Sequence, residues 1–252
     1  VDTSQHPRIL EDFDNAVRGA WEATLGVPLS SAQWSQASLP VTAGGFGLRQ
    51  AKAHGPGAYL ASLGASAALG KEIRRREKEQ QAPQVAQALQ ALNRQLGDPL
   101  TSEEVSNMTQ RQLSILVDVE AASRQKEAAV EVRDKARLGC ISREGAGDWL
   151  SALPSKALGL HLRKTEFLTA AKYRLGLPVY RQEGQCPAST CKAVSDVFGD
   201  HAISCGYRGE RIAKHNHVRD ALHQAAAQAG LGPIREPDGL LPGSDDRPAD
   251  LL

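Results

Sequence analysis

Apolar positions recur at helical spacing along most of the chain. Ile9, Phe13, Val17 and Trp21 fall on one face of a helix predicted from about Arg8 to Leu25. The polar stretch GVPLSSAQWSQASLP leads into VTAGGFGLRQA, where Gly44, Gly45 and Gly47 permit left-handed or close backbone in a structured loop before helix resumes near Ala51. That loop lacks the GK[ST] of a phosphate loop and follows no strand pattern, so it is not expected to cradle phosphate. The segment KEIRRREKEQQ mixes signs as an exposed helical face does, and Pro83 starts or kinks a turn beyond it. Thr101 with Glu104, and Thr109 with Gln112, each fit a capping box. The second box opens a pattern that predicts one long helix to Leu138, packed by Leu113, Leu116, Val117, Val130 and Leu138, with Cys140 beyond it as a buried small hydrophobe. From Trp149 the pattern changes. A break falls at Pro154, Thr165 caps a helix that Gly176 and Pro178 end, and a last helix is predicted over residues 206–230.

Composition agrees with this reading. Of 252 residues 41% are hydrophobic but only 4% aromatic, and much of the apolar content is alanine, which favours helices. The length accommodates two or more units. No apolar run approaches the roughly 20 residues needed to span a bilayer, and no signal peptide opens the chain, so a soluble intracellular protein without a membrane partner is expected. Net charge is +1 but uneven: residues 163–219 hold ten Lys/Arg against five Asp/Glu, and residues 220–252 hold two against six. A basic segment followed by an acidic one is the asymmetry of a phosphate-binding part next to a carboxylate-bearing part, or a surface with chance clustering. Lys172, Tyr173 and Arg174 can likewise be read as backbone contacts or as an amphipathic surface.

Three of the four cysteines lie in one stretch, as Cys186-x4-Cys191-x9-His201-x3-Cys205. Three thiolates and an imidazole form a tetrahedral zinc set, and four protein ligands make a closed, structural site. A disulfide between two of them would strand the third in a reducing compartment. If zinc is the ligand, the four donor atoms should stand about 3–4 Å apart.

In the helix that follows, Arg208, Arg211, His215 and Arg219 share a stripe that overlaps Ile212, Leu222 and Ala226. Cations beside an apolar face are expected to line a cleft, though His215 also reads as a structural histidine. Glu236, after a short apolar stretch, and Asp250, inside RPADLL, are a pair of the kind that shares a divalent metal at strand ends.

The segments LPVTAGGFGLRQA…GAYLASL, the Cys-Cys-His-Cys set, RIAKHNHVRD, EP and RPADLL occur in that order. In this the chain resembles the part downstream of the polymerase palm in non-LTR retrotransposon reverse transcriptases that end in a restriction-like endonuclease. The resemblance runs from about residue 8 to the end and is densest from Trp149. It implies a mainly α fold with a small zinc knuckle and, at the C-terminus, the beginning of an α/β restriction-like endonuclease domain. The regions implied are 1–70, thumb-like; 71–148, helical linker; 149–205, helix plus knuckle; and 206–252, the first part of a PD-(D/E)xK nuclease. Cys186, Cys191, His201 and Cys205 match the knuckle, His215 and Asn216 the family's HN, Glu236 the acidic residue before the core, and Asp250 the aspartate of the PD motif. Arg208, Arg211, Lys214, Arg219 and Lys192 are the candidate nucleic-acid contacts.

The implied cofactors are structural Zn2+ and, for the complete nuclease, Mg2+ or Mn2+. The implied partners are DNA, RNA and the rest of the polyprotein, in the nucleus if the element is active. Lys214 stands where the family usually has Arg, and PAD where many members have PD. The chain lacks the polymerase's paired aspartates, and the second acidic residue and lysine of the nuclease motif would follow Leu252, so a fragment of a larger polyprotein is expected. The alternatives are a non-enzymatic zinc-knuckle module that binds nucleic acid, and a helical interaction protein with incidental zinc.

Overall fold

The computed structural model describes residues 7–73, 82–157, 159–188, 190–206, 210–237, 240 and 251. The described residues are mainly helical and divide into two compact units, one of Val1–Ser151 with Arg174–Gly176, the other of Ala152–Tyr173 with Leu177–Leu252. No helix among them is long and apolar enough to cross a membrane.

The first unit opens with α1 (Pro7–Leu25) and α2 (Ser31–Ser38). The inward face of α1 runs through Asp14, Arg18, Trp21 and Leu25, and not, as expected, through Ile9 and Phe13, which are exposed. The reason is a capping contact. The buried Asp14 carboxylate accepts the N–H groups of Ala51 and Lys52 at 2.7 and 3.0 Å, the first amides of α3 (Ala51–Ile73). A carboxylate there satisfies amides that have no intrahelical partner and complements the helix dipole. Ser30 and Gln33 form a capping box at the start of α2.

Between α2 and α3 the glycine loop is built as a closed turn. Gly44 takes φ +95°, and a Cβ on Gly45 would fall 1.9 Å from the Leu39 carbonyl oxygen, so neither position admits a side chain. The amides of residues 44 to 48 donate to Val41, Pro40, Ala37, Leu39 and Ala37. With its N–H groups committed to preceding carbonyls, the loop has none to offer a phosphate, as the sequence implied.

The apolar core lies where α3 meets α4 (Ala82–Asn93), α5 (Ser102–Ser106) and α6 (Gln110–Ala128). Leu60, Ala61, Ala88, Leu92, Val105, Leu113 and Val117 are buried there. Both predicted capping boxes are present, Thr101 with Glu104 on α5 and Thr109 with Gln112 on α6.

The single long helix expected to reach Leu138 is two. α6 ends at Ala128, residue 129 is extended, and α7 (Val132–Ile141) begins after Glu131. Val130, expected in the core, is 80% exposed. Beyond Asp118 no position of α6 is buried, Glu120, Ala122 and Gln125 being half-buried and Arg124 and Glu127 exposed, so no apolar stripe holds the helix to the core and nothing favours its continuation. Cys140, read as buried, is exposed near the end of α7, where Leu138 takes the inward position.

Arg174 and Gln36 form a buried polar hub in this unit, with 3% and 1% exposure. The Arg174 guanidinium donates to the carbonyls of Gly45, Ala146 and Val41 at 3.2, 3.1 and 2.7 Å and lies 5.8 Å from the centre of the Phe46 ring. Gln36 and Arg137 in turn donate to the Arg174 carbonyl. Burial lowers the affinity of this guanidinium for its proton relative to an exposed arginine. Arg174 is thus neither a phosphate contact nor part of an amphipathic surface, because its donors are spent on carbonyls of the glycine loop and of Ala146.

The second unit holds most of α8 (Lys164–Leu175), a hairpin of β1 (Gly184–Gln185) and β2 (Val194–Ser195), α9 (Asp200–Ser204) and α10 (Glu210–Gln228). Helix α8 begins one residue before Thr165, with the Glu166 carboxylate accepting the Arg163 N–H at 2.7 Å in place of the expected threonine cap. It stops at Gly176, φ +70°. After α10 the only pairing among the described residues is an isolated antiparallel bridge between Arg235 and Leu251.

Candidate metal centre

The hairpin and α9 bring the ligand set together. β1 pairs antiparallel with β2, Gly184 with Ser195 and Gln185 with Val194, and the Cys186 N–H donates to Ala193 at 3.1 Å. Cys186 therefore leaves one strand as Cys191 approaches the other. Gly199, at φ +86°, turns the chain into α9, which carries His201 on its first turn and Cys205 at its end. The Cys205 N–H donates to the His201 carbonyl at 2.8 Å, so these two residues are fixed to each other.

The ligand atoms of Cys186, Cys191, His201 and Cys205 all lie within 4.8 Å of one another and can hold a metal ion. Cys186 Sγ stands 3.7 Å from Cys205 Sγ, and Cys191 Sγ 3.6 Å from His201 Nε2. Zinc bonds of about 2.3 Å to sulfur and 2.0 Å to nitrogen separate tetrahedral ligand atoms by about 3.5–3.8 Å, so both pairs are at zinc spacing and the widest is within about 1 Å of it. The four cysteines are free thiols. Cys191 and Cys205 are buried with Ala188, and Cys186 packs against them. Sulfur atoms thus occupy the centre of a segment that has little other core.

One further residue organises this cage. Asp196, directly after β2, accepts the N–H groups of Phe198 and Asp200 on Oδ1 at 2.9 and 3.2 Å and that of His201 on Oδ2 at 2.8 Å. Burial pushes its pKa up, and these backbone hydrogen bonds outweigh that effect and hold it below the usual aspartate value. Ligand spacing did not single out Asp196. The signal was present in DVFGDH, an aspartate placed to turn the chain just before a glycine and a helix.

The other predicted site residues are placed unevenly. Lys192 is exposed on the knuckle, and His215 is exposed on α10. Arg219 pairs with Glu236 and also with Asp220, at 3.0 Å. Arg235 stands 3.5 Å from Asp220. Hydrogen bonding to Arg219 holds Asp220 below the usual carboxylate range. Glu236 takes φ +43°, the left-handed region that a residue with a side chain seldom enters. Arg208 and Asp250 lie outside the described residues, as do the side chains of Arg211 and Lys214. The apolar face expected to bury Ile212 and Leu222 does not: they are 67% and 56% exposed.

A second titratable cluster lies in the first unit and was not foreseen. The buried Asp118 carboxylate accepts Arg49 at 2.6 Å and stands 3.3 Å from His54 Nε2. His54 Nδ1 is buried and meets no hydrogen-bond partner among the described residues. Burial is the main cause holding the imidazole below its ordinary pKa; Asp118 and Asp14 oppose it, and Arg49 reinforces it.

Compared with known proteins, the chain matches no family model, no curated protein and no solved structure.

Proposed function

We propose that this chain is a nucleic-acid-binding segment of a retroelement reverse transcriptase and endonuclease, with a structural zinc knuckle ahead of the first part of a metal-dependent DNA nuclease. The observation that carries the reading is the convergence of Cys186, Cys191, His201 and Cys205 within 4.8 Å, directly ahead of the helix containing RIAKHNHVRD. Zinc is the metal of choice, since three thiolates and one imidazole at tetrahedral spacing form a closed site with no position left for substrate. The knuckle's Lys192 and the cations of α10, with Arg208 just before it, supply phosphate contacts. The nuclease would take Mg2+ or Mn2+ at carboxylates that include Asp250 and Glu236, with His215 as a further catalytic candidate, and would act on nuclear DNA.

A second reading is favoured by one contact. Arg219 engages the Glu236 carboxylate, which leaves it a weaker ligand for a divalent cation and fits a module that binds nucleic acid without cutting it.

Three assays on the zinc-loaded chain test both readings. Affinity for a DNA or RNA oligonucleotide should fall steeply between about 50 and 200 mM salt, because each phosphate contact releases counterions. Binding indifferent to salt would contradict both. Nicking of supercoiled DNA with Mg2+ or Mn2+ that is lost in Asp250→Ala selects the nuclease reading; without nicking, Mn2+ binding that is lost in Asp250→Ala still supports it, and salt-sensitive nucleic-acid binding with neither selects the binding module.

A further inference from the structure

We infer that Asp196 is the positioning residue of the metal centre, a carboxylate that joins the two halves of the ligand set and holds them in place before the metal enters. The inference rests on the metal reading above.

The four ligands come from two pieces of structure. Cys186 and Cys191 belong to the β1–β2 hairpin, whereas His201 and Cys205 belong to α9. Asp196 sits between them, one residue past β2 and four before α9. The N-cap of α9 is Gly199, which offers no side-chain cap. The first amides of a helix have no intrahelical partner and need an outside acceptor. Asp196 supplies it from three residues upstream, taking the amides of Asp200 and His201 together with that of Phe198. Its own carbonyl accepts the Gly199 N–H at 3.3 Å, so the whole turn from 196 to 201 closes around one residue.

The mechanical consequence is specific. The Oδ2 bond ends on the backbone of a ligand, His201, and Cys205 is tied to that residue through its own N–H. Movement of the Asp196 carboxylate is therefore movement of half the cage. Asp200, the other acidic residue of the turn, donates its own N–H to Asp196. Partners that orient metal ligands from outside the coordination sphere contribute about 10–100-fold in metal affinity.

The test compares the full wild-type chain with Asp196→Ala and Asp196→Asn. Zn2+ affinity is measured by competition with a chromophoric chelator, Co2+ absorption reports ligand number, and tryptophan fluorescence during urea unfolding reports the first unit, where Trp21, Trp34 and Trp149 all lie. Asp196→Ala should weaken Zn2+ binding by about 10–100-fold, with the tetrahedral thiolate spectrum of Co2+ and the tryptophan transition unchanged. Asp196→Asn, which keeps one acceptor oxygen but loses the charge, should fall between. If Asp196→Ala takes up no metal, Asp196→Asn decides: weakened binding supports the assignment and wild-type binding overturns it. Affinities within twofold of wild type in both variants overturn it while leaving the metal reading intact. A wild-type chain that binds neither Zn2+ nor Co2+ overturns the metal reading and this inference with it.

Discussion

The helical first unit and the knuckle of the second answer the same problem, how to hold a chain together, with opposite chemistry. Around Leu60, Leu92, Leu113 and Val117 the first unit removes apolar surface from water, and caps and the Gln36–Arg137–Arg174 hub take up many of its polar groups. Around Cys186, Cys191 and Cys205 the knuckle has one pair of two-residue strands, one short helix and sulfur in the place of leucine. A segment that small buries too little to be stable by hydrophobic contact, and metal coordination is the available substitute. The first unit should therefore be indifferent to metal and sensitive to cavities, and the knuckle the reverse.

Metal removal gives the largest contrast. Structural zinc sites contribute on the order of 10 kcal/mol at neutral pH, so a strong chelator should expose residues 179–205 to proteolysis while the tryptophan unfolding transition of the first unit stays where it was. A shared loss of both would erase the distinction. Next comes Leu92→Ala, at a fully buried position. It should cost about 2–5 kcal/mol in the tryptophan transition and leave Zn2+ affinity unchanged. Arg174→Met should cost about 2 kcal/mol in the same transition, since three carbonyl oxygens lose their donor.

The smallest effect is on pH dependence. His54 is held below its ordinary pKa, so the unfolded chain binds its proton first as pH falls. Its contribution to stability is complete above the unfolded value of about 6.5 and is lost as pH drops from there toward the folded value, by at most about 1.4 kcal/mol per pH unit. His54→Gln should flatten that part of the first unit's stability curve. An unchanged slope between pH 6.5 and 5 would remove His54 from the account.

The two regions also differ in how legible they were. Helix ends announced themselves where a short polar side chain meets its own backbone: Thr101, Thr109 and the stop at Gly176 are local signals, and the structure has all three. The ligand set was legible because metal spacing is also local. Apart from the Thr165 cap, displaced locally by Glu166, what failed depended on distant partners. Asp14 turns α1 inward by capping a helix 37 residues away, which no periodicity in α1 records. The break after Ala128 follows from where the core ends, and Arg174 is buried because the Gly45 and Val41 carbonyls lie beside it, 129 and 133 residues earlier in the chain. On α10, charge beside an apolar stripe suggested a cleft. Among the described residues of that stripe, Arg219 meets a carboxylate expected of it, Glu236.

The central claim is that four side chains form one metal site, and metal stoichiometry tests it most directly. The chain is purified, stripped, reloaded with Co2+ and titrated with Zn2+, beside Cys191→Ala and Cys140→Ala. The account predicts one ion per chain with thiolate-to-cobalt charge transfer, displaced by Zn2+, weakened in Cys191→Ala and unchanged in Cys140→Ala. No bound ion, or binding that Cys191→Ala leaves untouched, would contradict it.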